Sequence, residues 1–396
     1  MLIPPIENDK PCQKVVKGQI VKIYPWVYVG GSENDNRKIS NLTKNIMFSN
    51  YLSLGVKMNF KSWLMLLASF SLLTSVFLFV YLKFTSDTEE EAHLHHLPKE
   101  VTCPASIPNE SDKSPTNITS GGGIFFLETS ERTSPSFQVM CAVESTARAN
   151  PHTKITIMMN GLKGNNQSLP QNFGISFLSC FSNVEFVPLD FKKLFSDTPL
   201  STWYSKVERH AELVDYPTLS DACRLAILWK WGGIYLDTDF IILKNLLTIT
   251  NAMALQSLYI VNGAFLTFQP RHKFIELSIK DFVKTYNYWL YGHQGPQLLT
   301  RVYKQWCGTR RLRDKNSCRG VNVLPKETFY PVDWQDWKKY FEVIEVEEIK
   351  TLLRNSYGVH LWNKKSQGQQ LLKGSFLEHL QLEYCPSTNS LMKMYL

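Results

Sequence analysis

The longest uninterrupted apolar run is Ser62 to Leu82, SWLMLLASFSLLTSVFLFVYL, 21 residues without a charge between Lys61 and Lys83. As a helix it would reach about 31 Å, enough to cross a bilayer once. A cleavable signal peptide has a shorter apolar part nearer the N-terminus and a small-residue cleavage site after it, so the pattern predicts a retained transmembrane signal anchor over 62–82. Lys44, Lys57 and Lys61 precede the run and Lys83 and Lys99 follow it, a small positive-inside bias that puts the 1–61 tail in the cytosol. Met47 and Met58 are alternative starts that would shorten that tail. Beyond the run, periodicity disappears. The stretch 83–123 holds acidic DTEEEAH, Pro98, Pro104, Pro108, Pro115 and then SGGG, which predicts an irregular stem.

From Ile124 onward short, wholly apolar runs alternate with helical spacing. Strands are predicted at Ile124–Leu127, Ile155–Met159, near Val184–Val187 and at Ile234–Leu236, and helices at Phe137–Ala149 and Leu219–Trp231, with Ser220 as the N-cap of the second and Gly232-Gly233 ending it. Fully apolar strands separated by helices imply an α/β fold whose Rossmann-like, mostly parallel sheet is covered by helices on both faces. Such sheets bind ligands at the carboxyl ends of their strands. With no internal repeat and no second boundary, 124–396 reads as one catalytic-sized unit.

Charge then removes one class of partner. Residues 1–61 carry 9 Lys+Arg against 4 Asp+Glu, so five of the formal +8 lie in the tail and the rest of the chain is near neutral. No basic surface for nucleic acid is implied. One of the eight cysteines, Cys12, precedes the apolar run and seven follow it, usage that suits an oxidising lumen. Cys307 and Cys318 form the easiest local pair, and Cys223, inside a helical pattern, is the candidate for a buried thiol outside the pairing. The sequons at Asn109, Asn117 and Asn166 all lie beyond the run and are candidate glycosylation sites, although Asn41 also opens one before it.

The chemistry concentrates in Leu219 to Asn245, LSDACRLAILWKWGGIYLDTDFIILKN. Asp237 and Asp239 follow an apolar strand two residues apart, so in extended chain both project to one side where the sheet opens. Adjacent buried carboxylates repel, and a divalent cation is their natural partner: Mn²⁺ or Mg²⁺, with phosphate oxygens completing the shell. Asp221 and Arg224, three apart on the preceding helix, could meet sugar hydroxyls and phosphate, or form no more than a helix-start charge pair.

The spacing SDxxRxxxLxxxGGxYxDxD resembles the donor-site signature of retaining glycosyltransferases of the GT-A type, which read a nucleotide-sugar through a DxD motif. The runs IFFLETSERT, CAVESTARANP, YGHQGPQLLTRVYKQWC, FYPVDWQDWKKYF, VHLWNKKSQG and MKMYL are similar to the branch of that family that makes alpha-1,4 linkages on glycosphingolipids. The resemblance runs from Ile124 to the C-terminus. It implies a type II protein of the Golgi membrane with a luminal GT-A domain that moves galactose from UDP-galactose to the 4-hydroxyl of the terminal galactose of lactosylceramide. The branch that transfers N-acetylglucosamine in alpha-1,4 linkage to O-glycans shares the GGxYxDTD core and a QGP segment and is the alternative.

The same resemblance assigns Asp237 and Asp239 to the metal and diphosphate, Asp221 and Arg224 to the donor hexose, and Thr129 and Ser130 to the nucleotide. It makes His360 a third metal ligand, though a histidine among Val359, Leu361 and Trp362 could equally belong to the core. Lys364 and Lys365 would stabilise the charge growing on the diphosphate. Gln294, in GHQGP, is placed either against the far face of the sugar, which favours a same-face retaining route, or as an amide that braces its loop. Trp203, Tyr204, Trp289, Tyr291, Trp334 and Trp337 are the rings that could stack on an acceptor sugar. A HAD-type phosphatase with Asp237 as nucleophile lacks the Thr or Val it needs at Ile241. A membrane-anchored lectin without turnover is the non-enzymatic rival.

Overall fold

The computed structural model describes most of residues 122–396, apart from 163–168, 170–171, 210–214, 288–289, 291, 315, 367–368 and 396. Ahead of these it describes 97–98, 101–104, Thr74 and four short strands before residue 30. The chain divides into two units, Met1–Leu82 and Lys83–Leu396. In the first, Cys12–Val16 pairs with Gln19–Ile23 and Leu2–Ile3 with Val27–Tyr28, both antiparallel. Except for Thr74, which is helical, the expected span at 62–82 lies outside the described residues, as do Asn109, Asn117, Asn166, Trp289 and Tyr291. Among the described residues no helix is long and apolar enough to cross a membrane.

The second unit is built on strands β1 (Ile124–Glu128), β2 (Ile155–Met159), β3 (Val184–Pro188), β4 (Gly233–Leu236), β5 (Phe240–Ile242), β6 (Ala252–Ser257), β7 (Ile260–Phe268), β8 (Ser317–Cys318), β9 (Val321–Leu324) and β10 (Gly358–His360). The helices that position the site are α1 (Phe137–Ala149), α2 (Tyr216–Trp231), α3 (Lys273–Thr285), α4 (Pro296–Cys307), α5 (Asn363–Ser366), α6 (Phe376–Tyr384) and α7 (Pro386–Tyr395). Eight strands form one sheet in the order β8-β9-β6-β7-β4-β1-β2-β3. β4, β1, β2 and β3 run parallel, but β7 lies antiparallel to both β4 and β6, and β8 antiparallel to β9. β6 and β9 pair parallel as well, so the sheet is mixed: six of its eight strands run one way, as a mostly parallel sheet requires, and β7 and β8 run against them. The reversal of β7 lies in the hairpin β6–β7, whose turn residues Leu258 and Tyr259 carry no Asn-Gly or Asp-Gly signal.

Both faces are covered, as the apolar strands require. Ile124 and Phe126 pack into one core with Ile155, Ile157 and helix α1, while Phe125 and Leu127 pack into another with α2, α3 and α4. That alternation is the pleat of β1 expressed as two cores. The body also draws in residues ahead of 124: Leu97 is buried in the first core, Val101 packs on it, and Cys103 is bonded to Cys180. Cys141 is bonded to Cys385 and Cys307 to Cys318, the pair expected from spacing, while Cys223 is a buried thiol outside any disulfide.

Helix α2 begins a turn before the sequence-based expectation. Asp215, not Ser220, is the N-cap, its side chain accepting from the Thr218 amide, and Pro217 occupies the first turn. Asp-x-Pro is a strong start signal, since proline has no amide to leave unbonded there. At the other end Gly232 and Gly233 adopt φ of 65° and 89°, and a Cβ on Gly233 would run into the backbone of Gly122 and Gly123. Only glycines allow the helix to reverse into β4 so close to β1.

Candidate active site

β4 delivers Asp237 to the carboxyl edge of the sheet, where its amide donates to the Ala264 carbonyl at 2.9 Å. Three residues later the chain re-enters a strand: β5 pairs antiparallel with β10, with Phe240 opposite His360. That register brings a residue from 120 positions downstream beside the twin acids. His360 Nε2 lies 3.1 Å from Asp239 Oδ1. One ligand atom from each of Asp237, Asp239 and His360 falls within 4.8 Å of the others. Two carboxylate oxygens and an imidazole nitrogen suit Mn²⁺ better than Mg²⁺, which favours oxygen throughout. The residues present thus fit a divalent cation.

The chain after His360 is shaped to serve Asp239. Trp362 sits at φ 56°, a left-handed conformation rare for an aromatic residue. With it, the Asn363 amide donates to Asp239 Oδ2 at 2.9 Å, and the Leu361 amide donates to the Asp239 carbonyl at 2.9 Å. Burial pushes the Asp239 carboxyl up, but His360 and the Asn363 amide outweigh it and hold it below the ordinary carboxylate value. Lys364 and Lys365, on the short helix α5, are exposed, with Lys365 Nζ 4.5 Å over the Trp334 ring.

On the other side of Asp237 stands Arg224, buried on helix α2. Its Nη1 donates to the Gly263 carbonyl at 2.8 Å and lies 3.3 Å from Asp237 Oδ1; its Nη2 donates to Ser220 Oγ at 3.0 Å and lies 3.4 Å from Asp221 Oδ1. The guanidinium also covers the Tyr235 ring at 4.6 Å, and Tyr235 donates its hydroxyl to Asp237 Oδ1 at 2.6 Å. The expected Asp221–Arg224 pair therefore reaches across to the twin acids. Burial alone would lower the Arg224 pKa, and Asp237, Tyr235 and Asp221 more than reverse that, keeping it charged.

Burial pushes the Asp221 carboxyl up to about 6, against the opposing pull of Arg224 and with help from Asp237 and Asp215. Because the folded value lies above the ordinary one, the folded state holds this proton in a window where the unfolded chain has released it. The stability contribution is present below the ordinary carboxylate range and is lost as pH rises through about 6. Denaturation midpoints measured between pH 4 and pH 7 are expected to show a falling component in the native protein that is missing in Asp221→Asn. Parallel pH profiles for the two proteins would refute it.

Gln294 is held within its own loop. Its Nε2 donates to the Phe282 carbonyl at 2.8 Å, its Oε1 accepts from Arg301 at 3.4 Å, and the side chain is buried. Both ends of its amide are engaged by protein, the contacts that a bracing amide makes. Arg301, which no local pattern singles out, clasps the same loop: it pairs with Asp281 and donates to the His293 carbonyl at 2.7 Å and to Thr285 Oγ1 at 2.8 Å. The loop so held puts Gly295 against Asp221, where a Cβ would lie 2.5 Å from Asp221 Oδ2. Glycine there is what lets helix α4 begin beside the carboxylate.

Thr129 and Ser130 lie at the carboxyl end of β1, beside that of β4. Thr129 Oγ1 donates to the Tyr216 carbonyl at 3.4 Å, and Ser130 Oγ accepts from the Arg132 amide at 3.3 Å. Of the aromatic candidates, Trp203 is core, packed edge-on to Phe195, Phe282 and Tyr286, and Tyr204 packs on Phe191 and Phe195. Trp334 remains exposed and Trp337 meets Phe341.

Two family models match the chain. "Glycosyltransferase sugar-binding region containing DXD motif" matches residues 136–258, and "Alpha 1,4-glycosyltransferase conserved region" matches 267–392. The lactosylceramide 4-alpha-galactosyltransferases of Pan troglodytes and Homo sapiens are each 52% identical over 323 residues, 81% of this chain and 91% of theirs. The Homo sapiens alpha-1,4-N-acetylglucosaminyltransferase is 39% identical over 274 residues, 67% of this chain and 79% of its own.

Proposed function

The chain belongs to the alpha 1,4-glycosyltransferase family that includes the lactosylceramide 4-alpha-galactosyltransferases, and from that premise we propose that it transfers galactose from UDP-galactose to the 4-hydroxyl of the terminal galactose of lactosylceramide, with retention. The observation that carries the proposal is the meeting of Asp237, Asp239 and His360 with the Arg224–Asp221 pair at one edge of the sheet. The higher identity to galactosyltransferases than to the N-acetylglucosaminyltransferase favours galactose. The three disulfides, the apolar run at 62–82 and the sequons beyond it favour a Golgi enzyme with one span and a luminal body. A span would also hold enzyme and lipid acceptor on one surface and raise their effective concentration.

A Mn²⁺ ion held by Asp237, Asp239 and His360 would supply positive charge to the diphosphate as it leaves. Arg224 keeps Asp237 oriented and prevents the acids from standing as uncompensated negative charge. Asp221, rigid between Arg224 and Gly295, presents its carboxylate oxygens to hydroxyls of the donor hexose. Lys364 and Lys365, one and two residues past the amide that holds Asp239, add positive charge on the open side. Gln294 and Arg301 keep the glycine loop closed against Asp221. Among these groups, the carboxylates are tied to cationic partners, which favours departure and attack on the same face over a double inversion.

The test is transfer by the purified full chain in detergent with Mn²⁺, lactosylceramide and either UDP-galactose or UDP-N-acetylglucosamine. UDP release with an alpha-1,4-linked trihexosyl lipid from UDP-galactose alone is expected. Product from the other donor would move the chain to the N-acetylglucosaminyl branch, and glycan binding without UDP release would make it a lectin.

A further inference from the structure

The hairpin between β6 and β7 breaks a local rule that the fold gives no reason to break. Ser257 pairs with Ile260, so Leu258 and Tyr259 form a two-residue turn. Such turns favour Asn, Asp and Gly. Packing does not hold this pair in place either, since Leu258 is 60% and Tyr259 79% exposed. Where turn chemistry and core packing both leave a residue unexplained, a functional contact is the remaining source of the choice.

The turn lines a cavity of about 540 Å³, with Pro325, Lys326 and Asp333 on its opposite wall. That volume falls in the range of small-molecule sites. Lys326 Nζ donates to both oxygens of Asp333, at 3.0 and 2.9 Å, and both side chains are half-buried. A carboxylate and an ammonium so engaged keep further lone pairs and N–H groups for a ligand. An aromatic ring facing fixed donors and acceptors suits a sugar, whose C–H face can lie on the phenol while its hydroxyls bond the ion pair. An alkyl chain would leave that pair unused.

Both walls lead to the twin acids. From Tyr259 the chain of β7 runs four residues, at most about 13 Å, to Gly263, whose carbonyl accepts from Arg224 beside Asp237. Within the sheet, β6 stands two strands from β4, about 10 Å away. On the opposite wall Trp334 follows Asp333, and its ring carries Lys365, two residues past the amide that holds Asp239. The interval leaves room for the reacting carbon and one acceptor hexose, so the cavity meets the ring behind the one that is modified.

We infer that this cavity is an acceptor subsite for the second hexose of a lactoside, with Tyr259 as its stacking platform and the Lys326–Asp333 pair bonding its hydroxyls. The inference rests on the transfer proposed above and adds a part of the substrate to it. Tyr259 then selects disaccharide acceptors over single galactosides without touching the reacting atoms.

The test uses the full chain in detergent with Mn²⁺ and UDP-galactose, and methyl β-galactoside, methyl β-lactoside and lactosylceramide as acceptors. The quantity read is the preference for methyl β-lactoside over methyl β-galactoside, as the ratio of their kcat/KM values. Tyr259→Ala is expected to lower that preference about tenfold, with KM for UDP-galactose unchanged. Tyr259→Phe keeps the ring and is expected to retain most of it. An unchanged preference in Tyr259→Ala overturns the inference, and so do equal losses in the two variants. A loss confined to lactosylceramide also overturns it, because the cavity would then be a lipid site. So does an equal rise in the KM for UDP-galactose, because the turn would then act on the whole site. Failure of the unaltered protein to transfer galactose to any of the three acceptors overturns the proposed function and this inference with it.

Discussion

Replacing Asp239 by Asn is expected to lower transfer about a thousandfold and to abolish Mn²⁺ binding while leaving the metal-free fold intact. The choice of asparagine follows from what the carboxylate holds. Asp239 Oδ2 accepts from the Asn363 amide and Oδ1 meets His360, so alanine would release the start of α5 as well as the cation. Asparagine keeps an acceptor for the Asn363 amide, which isolates the charge and the ligand oxygen. The same substitution at Asp237 would be less clean. Arg224, buried and charged, would lose one of its two carboxylate partners, and Tyr235 a 2.6 Å hydrogen bond, so part of any loss would come from the fold. The measurements are turnover with UDP-galactose and lactosylceramide, Mn²⁺ affinity, and melting without metal. Asp239→Asn protein that retains more than about a tenth of the activity, or native Mn²⁺ affinity, would show that the triad is not the cation site.

What could be read from the chain alone was what depends on neighbouring residues. Helix α1 and strand β2 have the bounds expected from pattern, because Ser136 caps the helix, Pro151 prevents its continuation and Asn160-Gly161 closes the strand. The DTD tip of β4 was legible for the same reason: an apolar strand, a glycine break and two acids lie in one short window. The early start of α2 was also written locally, in Asp215 and Pro217, but the stronger apolar pattern after Leu219 drew the boundary too late. The antiparallel β7 was a different failure. Its nine residues are nearly all buried, so they show no alternation, and its direction is set by pairing with β4 and β6, which no local pattern encodes.

The site residues divide along the same line. Asp237, Asp239, Asp221 and Arg224 fall within 19 consecutive positions, and their grouping needed only a helix, a turn and a strand. His360 joins them through a three-residue strand whose register against β5 spans more than 100 positions, and its sequence context was equally that of a core histidine. Arg301 carries no local signal, because it acts on groups brought near by packing, a loop whose ends are 285 and 294.

The largest effect on stability is expected at a residue far from the chemistry. Glu144→Ala should lower stability by about 3–5 kcal/mol, a melting decrease on the order of 10 °C for a body of this size. Glu144 is wholly buried on α1 and accepts four hydrogen bonds: from the Ser387 amide at 3.0 Å, the Thr388 amide and Thr388 Oγ1 at 2.7 Å each, and Arg148 Nε at 2.8 Å. Two of these are amides in the first turn of α7, where a carboxylate meets donors the helix itself cannot satisfy. Alanine would leave both amides, a hydroxyl and a guanidinium without that acceptor. The Cys141–Cys385 disulfide, one turn from Glu144, would still tether the end of α6, so the loss would appear as a looser C-terminal pair of helices before it appears as global unfolding. The neighbouring residue ties this to the site. Ser145 Oγ accepts from the Ile242 amide at 3.0 Å in β5, and Asn150 Oδ1 accepts from the Leu246 amide at 2.9 Å just beyond it. Helix α1 thus holds both the C-terminal helices and the strand that places Asp239 opposite His360. Thermal melting with and without Mn²⁺·UDP should show Glu144→Ala melting lower in both conditions and gaining fewer degrees from the ligand than the native protein. A melting temperature within about 2 °C of native would mean that the buried carboxylate is dispensable and that α7 is held by its apolar face and the disulfide.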